Sequence, residues 1–281
     1  MNKNKYNLDN FMKNGFFVIK KLLTKKEIKE MEKSFKKKEK DSSYNEINDR
    51  NCRNYLTNKN LHIKLRAVLD DKIFYLHDLN LAVNQITGKS YTWHRDSPCR
   101  KTGHEDDWYP KNSYNVLTTI TYLNSSNETA TTLNVIPKSN LNTYKNTLSN
   151  ILRFLHSKFK NTKITFLRNL IERINGIDIN FEKGDCVVFY TNLYHMGHIK
   201  SLNIKKDRKL IVCRFGGEGK HTENYINYVL RHREENKNKY KNIPNDKKSD
   251  FFKYLSKNNI YFPIPKKKKI IQGVFSNLKS I

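Results

Sequence analysis

Cysteine is scarce and unpatterned in this chain of 281 residues. The four cysteines, Cys52, Cys99, Cys186 and Cys213, form no C-x-x-C pair, so neither a zinc ribbon nor a disulfide framework is indicated. Cys186 and Cys213 lie in apolar runs and are expected to be buried small hydrophobes. No run of 18 apolar residues occurs, so no transmembrane segment is expected. No apolar signal region opens the chain either. A soluble, reducing, cytoplasmic setting is the resulting expectation. Acidic residues are the minority, 27 against 54 Lys and Arg, for a net charge of +27. Such an excess favours an anionic partner: nucleic acid, a membrane surface or a phosphorylated substrate. The lysines are interleaved with asparagine throughout, as in "KNKYKNIPNDKK", rather than gathered on one patterned helix. That dispersal points to nucleotide bias, and no helix-turn-helix, zinc-finger or RNP-like signature accompanies the charge. The four-lysine run in the tail "PIPKKKKIIQ" is expected to be solvated.

What is present suits a folded enzyme. Apolar residues make up 37%, with 16 Tyr and 15 Phe, enough to bury a core in a chain of this length. A single domain over 1–281 is expected. In "FMKNGFFVIKKLLTKKEIKEMEKSF", Gly15 breaks a short helix and Phe16 to Ile19 reads as a strand. Thr24 with Glu27 forms a capping box, and Ile28, Met31 and Phe35 fall at helical spacing. The polar stretch 36–60 reads as irregular, and "LHIKLRAVL" as a helix. Residues 73–87 read as two strands ending at Gly88. "YTWHRD" is a strand end, followed by a charged loop at 97–113. "YNVLTTITYL" and "ATTLNVI" are strands, the second stopped by Pro137. A helical insert is expected at about 140–175. "GDCVVFY" and "RKLIVCRF" are continuous apolar strands of the kind found inside a sandwich. Helices follow at about 222–236 and 249–257. This order predicts an α+β fold whose core is a double-stranded β-helix, a cupin-like jelly roll, flanked by helices.

The chemistry centres on a metal-binding pattern. Non-haem iron(II) sites use two histidines and one carboxylate on one face, leaving other positions open. Residues two apart on a strand point the same way, so His-x-Asp can bring both groups to one ion. The pattern occurs twice, as His94-x-Asp96 and His104-x-Asp106. The first follows a strand and Trp93; the second lies in a charged loop beside Asp107 and reads as a solvated cluster. His195 and His198, both after "GDCVVFY", are candidates for the distal ligand.

The order of these features resembles the phytanoyl-CoA dioxygenase family. "FMKNGFFVIKKLLTKKEI" is similar to that family's entry turn, strand and helix. "WHRD" matches its His-x-Asp. "TYLNSSNETATTLNVIPKSN" resembles its segment ending in Pro-Gly-Ser, with Pro137-Lys138-Ser139 here. "GDCVVFYTNLYHMGH" resembles its stretch in which eleven residues separate a glycine from the distal histidine, and Gly184 plus eleven is His195. "RKLIVCRF" resembles the strand that begins with the arginine binding the 2-oxoglutarate carboxylate. The likeness spans about residues 8–216, leaving a helical, basic extension at 220–281. It implies an Fe(II)- and 2-oxoglutarate-dependent dioxygenase using O2 and acting on a small molecule. Iron ligation then falls to His94, Asp96 and His195, co-substrate binding to Arg208 and Asn84, and hydroxylation is the expected reaction. A carboxylate at Asp96 speaks against halogenation, which needs that coordination position for halide. Arg214 competes with Arg208 on the same strand face. Gly197 stands where many members have a serine that helps hold the co-substrate.

Overall fold

The computed structural model describes residues 11–69, 72–84, 94–96, 115–140, 176–201, 206–232 and 245–261. The helical insert expected at about 140–175 (all but its first residue), the loop at 97–113 with His104 and Asp106, and the lysine-rich tail lie outside them.

Two compact units are present. One comprises residues 1–21, 83–114 and 121–210; the other comprises 22–82, 115–120 and 211–281.

In the first unit, Gly15 donates its N–H to the Phe11 carbonyl at 2.7 Å and turns the chain at φ 82°, a conformation that glycine adopts without strain. Strand β1 (Phe16–Ile19) follows and pairs antiparallel with a strand formed by Cys186–Tyr190, register Phe16 to Phe189. The turn before that strand is held by buried Asp185. Its carboxylate accepts from the Lys21 N–H at 2.9 Å, the Lys20 ammonium at 2.7 Å and the Glu182 N–H at 2.9 Å. The "GD" pair is therefore a structural clasp, with Gly184 at φ 83° supplying the bend.

The second unit opens on helix α1 (Lys25–Lys40), whose capping box is the expected one: Thr24 N–H to Glu27 at 2.7 Å and Glu27 N–H to Thr24 Oγ1 at 3.3 Å. Ile28, Met31 and Phe35 are its buried stripe. The expectation of irregular structure over 36–60 is overturned. Helix α1 continues to Lys40, and α2 (Arg50–Leu56) forms within the stretch. Asp49 caps α2, accepting from the N–H groups of Asn51 and Cys52. Seven residues are too few to show a periodic stripe, so the cap was its only sequence signal. Helix α3 (Lys59–Leu69) buries Leu61, Leu65 and Leu69 at four-residue spacing.

Strand β2 (Ile73–Asn84) is one twelve-residue strand over the described part of 73–87, where two were expected. Its polar middle is accommodated by pairing. Buried Asp78 forms an ion pair with buried Arg214 and accepts the Tyr225 hydroxyl at 3.2 Å. An isolated carboxylate there would be costly. Asp78→Ala leaves the Arg214 cation buried without this partner, and is expected to destabilise the protein by about 3–5 kcal/mol. Urea unfolding measures this, and a loss under about 1 kcal/mol would show the pair to be dispensable.

The remaining elements are β3 (Val116–Tyr122), α4 (Ser126–Thr129), β4 (Thr131–Val135), β5 (Ile177–Ile179), β6 (Cys186–Tyr190), β7 (His195–Ile199), β8 (Arg208–Gly216), α5 (Lys220–His232), α6 (Asn245–Lys257) and β9 (Ile260–Tyr261). They make a six-stranded sheet, β1-β6-β3-β8-β2-β9, and a three-stranded sheet, β5-β4-β7. This is the α+β jelly-roll arrangement expected from the sequence. Strands β5 and β7 were not foreseen. The segment "HMGHI" of β7 has no apolar alternation, and it is ordered by full antiparallel register with β4, from Thr131–Ile199 to Val135–His195. Cys52, Cys186 and Cys213 are buried thiols outside any disulfide. Among the described residues, no helix is long and apolar enough to cross a membrane.

Candidate metal centre

The site is built in the first unit, where the His94–Asp96 segment lies along the chain leading into β7. His94 and His195 form an antiparallel bridge, each N–H donating to the other's carbonyl at 3.0 Å. Asp96 donates its N–H to the Thr191 carbonyl at 2.7 Å. Backbone bonds thus fix both members of His-x-Asp against the residues that carry the distal histidine.

The side chains follow. His94 Nε2 lies 3.8 Å from Asp96 Oδ1, and His195 Nε2 lies 3.8 Å from Asp96 Oδ2. The two imidazole centroids are 4.3 Å apart. These separations exceed hydrogen-bond range, so the three groups converge on a common point rather than on one another. One donor atom from each lies within 4.8 Å of the others. His195 Nδ1 is 3.0 Å from the Leu193 carbonyl. A carbonyl can only accept, so the proton sits on Nδ1 and Nε2 presents its lone pair to the centre. Exposure rises across the group: the side chain of His195 is 4% exposed, Asp96 11% and His94 28%. Phe189 of β6 packs on the His195 ring at 4.6 Å and forms a dry wall there. Two imidazoles and one carboxylate, gathered on one side of a point, fit non-haem iron(II) with open positions.

His198 is not part of this group. It is three residues from His195 on a strand, hence on the opposite face. Its Nδ1 lies 3.0 Å from Asp178 Oδ1, which also accepts from Thr132 and Asn134 at 2.9 Å. Burial raises the pKa of Asp178, but the hydrogen bonds from Thr132, His198 and Asn134 outweigh it and hold the carboxyl below its usual value.

The two arginines of β8 separate by their surroundings. Arg214 is committed to Asp78 in the second unit. Arg208 belongs to the first unit and is 5% exposed at the start of β8. There it acts on the phenol of Tyr122, whose pKa burial pushes well above the usual value while the Arg208 charge opposes the rise. Tyr122 is stacked on Phe181 at 3.5 Å between centroids. Asn84 is the last residue of β2, and its side chain lies outside the described residues.

Sequence reasoning passed over Arg95 and Ser139. Arg95 Nη2 donates to the Ser139 carbonyl at 2.9 Å, and its guanidinium carbon sits 4.0 Å from the centroid of the Tyr194 ring. Ser139 ends the Pro-Lys-Ser turn. Lys138 in that turn adopts φ 63°, which explains a glycine at this place in the segment it resembles.

The sequence matches the phytanoyl-CoA dioxygenase (PhyH) family over residues 11–202, more than half of the chain. The chain belongs to the phytanoyl-CoA dioxygenase family. Iron and 2-oxoglutarate are the cofactor and co-substrate that go with this membership and with the His94, Asp96 and His195 cluster. No curated protein matches the chain in sequence. Among solved structures, HygX from Streptomyces hygroscopicus, with nickel and 2-oxoglutarate bound, superposes with a TM-score of 0.56 at 14% identity, over 77% of this chain and 87% of that one. EctD from S. alaskensis, with 2-oxoglutarate and 5-hydroxyectoine, gives 0.52 at 14% identity over 77% and 76%. The epimerase SnoN, in complex with Fe3+, alpha ketoglutarate and nogalamycin RO, gives 0.54 at 11% identity over 76% and 83%. These similarities establish that this member of the phytanoyl-CoA dioxygenase family shares its fold with an epimerase and with two proteins solved with 2-oxoglutarate bound.

Proposed function

We propose that the chain is an Fe(II)- and 2-oxoglutarate-dependent hydroxylase of a small, anionic metabolite, with His94, Asp96 and His195 as the iron ligands. The convergence of these three side chains carries the reading. Held by these three residues, iron would supply, with 2-oxoglutarate and O2, the oxidising chemistry for hydroxylating an unactivated C–H bond, with succinate and CO2 as by-products.

The chain's own residues have separable parts in this. His195 Nε2 is made available by the Nδ1–H bond to Leu193. Asp96 contributes a negative charge that offsets part of the metal's charge, and the backbone bonds to Thr191 and His195 orient its segment. Phe189 keeps water from the His195 side. Arg208, buried and always charged, is the anchor for the far carboxylate of 2-oxoglutarate, which a guanidinium meets with two parallel hydrogen bonds. Asn84 is assigned a polar contact to the same molecule. The basic excess supports an anionic substrate by raising its local concentration.

The direct test supplies purified protein with Fe(II), 2-oxoglutarate, O2 and fractionated metabolite extract. Succinate formation above the metal-free control is expected, rising with one fraction whose product gains one oxygen atom. Absence of iron-dependent succinate in every fraction contradicts the oxygenase reading. A product isomeric with its substrate contradicts hydroxylation alone.

A further inference from the structure

We propose that Arg95, the residue between His94 and Asp96, is a positioning residue that sets the spacing of the three metal-binding side chains. This rests on the assignment of those side chains as iron ligands. A surface charge is the ordinary expectation for an arginine in a polar motif, and burial excludes it: Arg95 is 6% exposed. On an extended segment it points away from the face shared by His94 and Asp96.

Its contacts reach the other half of the site. The guanidinium donates to the Ser139 carbonyl and covers the ring of Tyr194, the residue immediately before His195. Ser139 Oγ accepts the Tyr194 N–H at 2.9 Å, and the Ile136 N–H donates to the Tyr194 carbonyl at 3.0 Å. The 136–139 turn, Tyr194 and the His94–Asp96 segment are therefore joined through one cation. Together with the His94–His195 bridge they form a closed circuit: Arg95 to Tyr194, along the chain to His195, across to His94, and back. A change at any side lets the two ligand-bearing segments slide against each other. The turn is itself over-determined, since it holds Lys138 at φ 63° and binds its N–H to the Asn14 carbonyl at 3.1 Å. A guanidinium spreads several N–H donors around its central carbon, so it can sit over a ring and still donate to a carbonyl, and lysine is an incomplete substitute.

The test uses Co(II) alone as probe, because its visible absorption reports coordination geometry. Wild type, Arg95→Gln, Arg95→Lys, Tyr194→Leu and the Arg95→Gln/Tyr194→Leu double variant are titrated anaerobically. Arg95→Gln is expected to bind Co(II) about 10- to 100-fold more weakly, the range for residues that orient metal ligands. The spectrum of its bound Co(II) is expected to differ from wild type, which a merely stabilising side chain does not produce. Arg95→Lys is expected to fall between the two. The loss in the double variant is expected to be smaller than the product of the single losses, because both act through one contact. Wild-type affinity and spectrum in Arg95→Gln overturn the proposal, as do fully multiplicative losses. Should Arg95→Gln not fold, Arg95→Lys and Tyr194→Leu decide, and wild-type Co(II) binding in both overturns it. Failure of the ligand assignment has its own signature: wild type that takes up no Co(II), or His195→Ala that binds it as well as wild type does.

Discussion

His195→Ala is expected to weaken Fe(II) binding by more than about 100-fold, since even residues that only orient metal ligands reach that range. Iron-dependent succinate formation falls with it. The fold is expected to survive, because the bonds that bridge His195 to His94 are backbone bonds, which alanine keeps. The register of β7 with β4 is likewise a backbone property. His198→Ala is the matched control. It removes an imidazole from the opposite face of the same strand and frees Asp178 of one donor, so iron binding should stay at the wild-type level. Equilibrium dialysis with Fe(II) under anaerobic conditions measures both. Equal losses in the two variants would contradict the parity assignment and implicate β7 as a whole.

Arg208→Ala is expected to raise the KM for 2-oxoglutarate by about 30-fold or more. Truncating one partner of a buried, hydrogen-bonded charge pair costs about 2–5 kcal/mol, and each 1.4 kcal/mol is tenfold. Iron affinity without co-substrate should change little, which separates this arginine from the ligands. Arg208→Lys keeps the charge but not the planar fork, so an intermediate KM is expected. Arg214→Ala predicts the reverse pattern. It strands Asp78 in the core, so stability falls while the KM of the remaining folded protein does not. Steady-state kinetics beside urea unfolding distinguishes the two. A raised KM in Arg214→Ala with none in Arg208→Ala would transfer the anchoring role.

Much of this was legible in the chain because the signals were local. The capping box at Thr24 and Glu27 and the apolar runs of β6 and β8 depend on neighbours in sequence, and they appear where expected. Helix α2 escaped notice because seven residues show no stripe and only its Asp49 cap marks it, and strands β5 and β7 because each is short and ordered by pairing with β4, more than forty residues away. The site divides in the same way. The two-residue spacing of His94 and Asp96 is local and readable. Separating His195 from His198 by physics alone requires knowing that both lie on one strand, and the sequence showed only an interval from Gly184. Arg208 and Arg214 share a strand face, so no periodicity distinguishes them; Asp78, more than a hundred residues away, does. The burial of Arg95 is the least legible of all. Its partners, Ser139 and Tyr194, are distant in sequence, and nothing in "WHRD" marks the arginine as buried.

His94, Asp96 and His195 are proposed to hold one iron beside 2-oxoglutarate. Anaerobic titration of the metal-free protein with Fe(II) in saturating 2-oxoglutarate tests it most directly, followed by visible absorption. A weak charge-transfer band that saturates at one Fe(II) per chain, and is lost in His94→Ala, is the predicted result. No band at saturation, or an undiminished band in His94→Ala, contradicts the account.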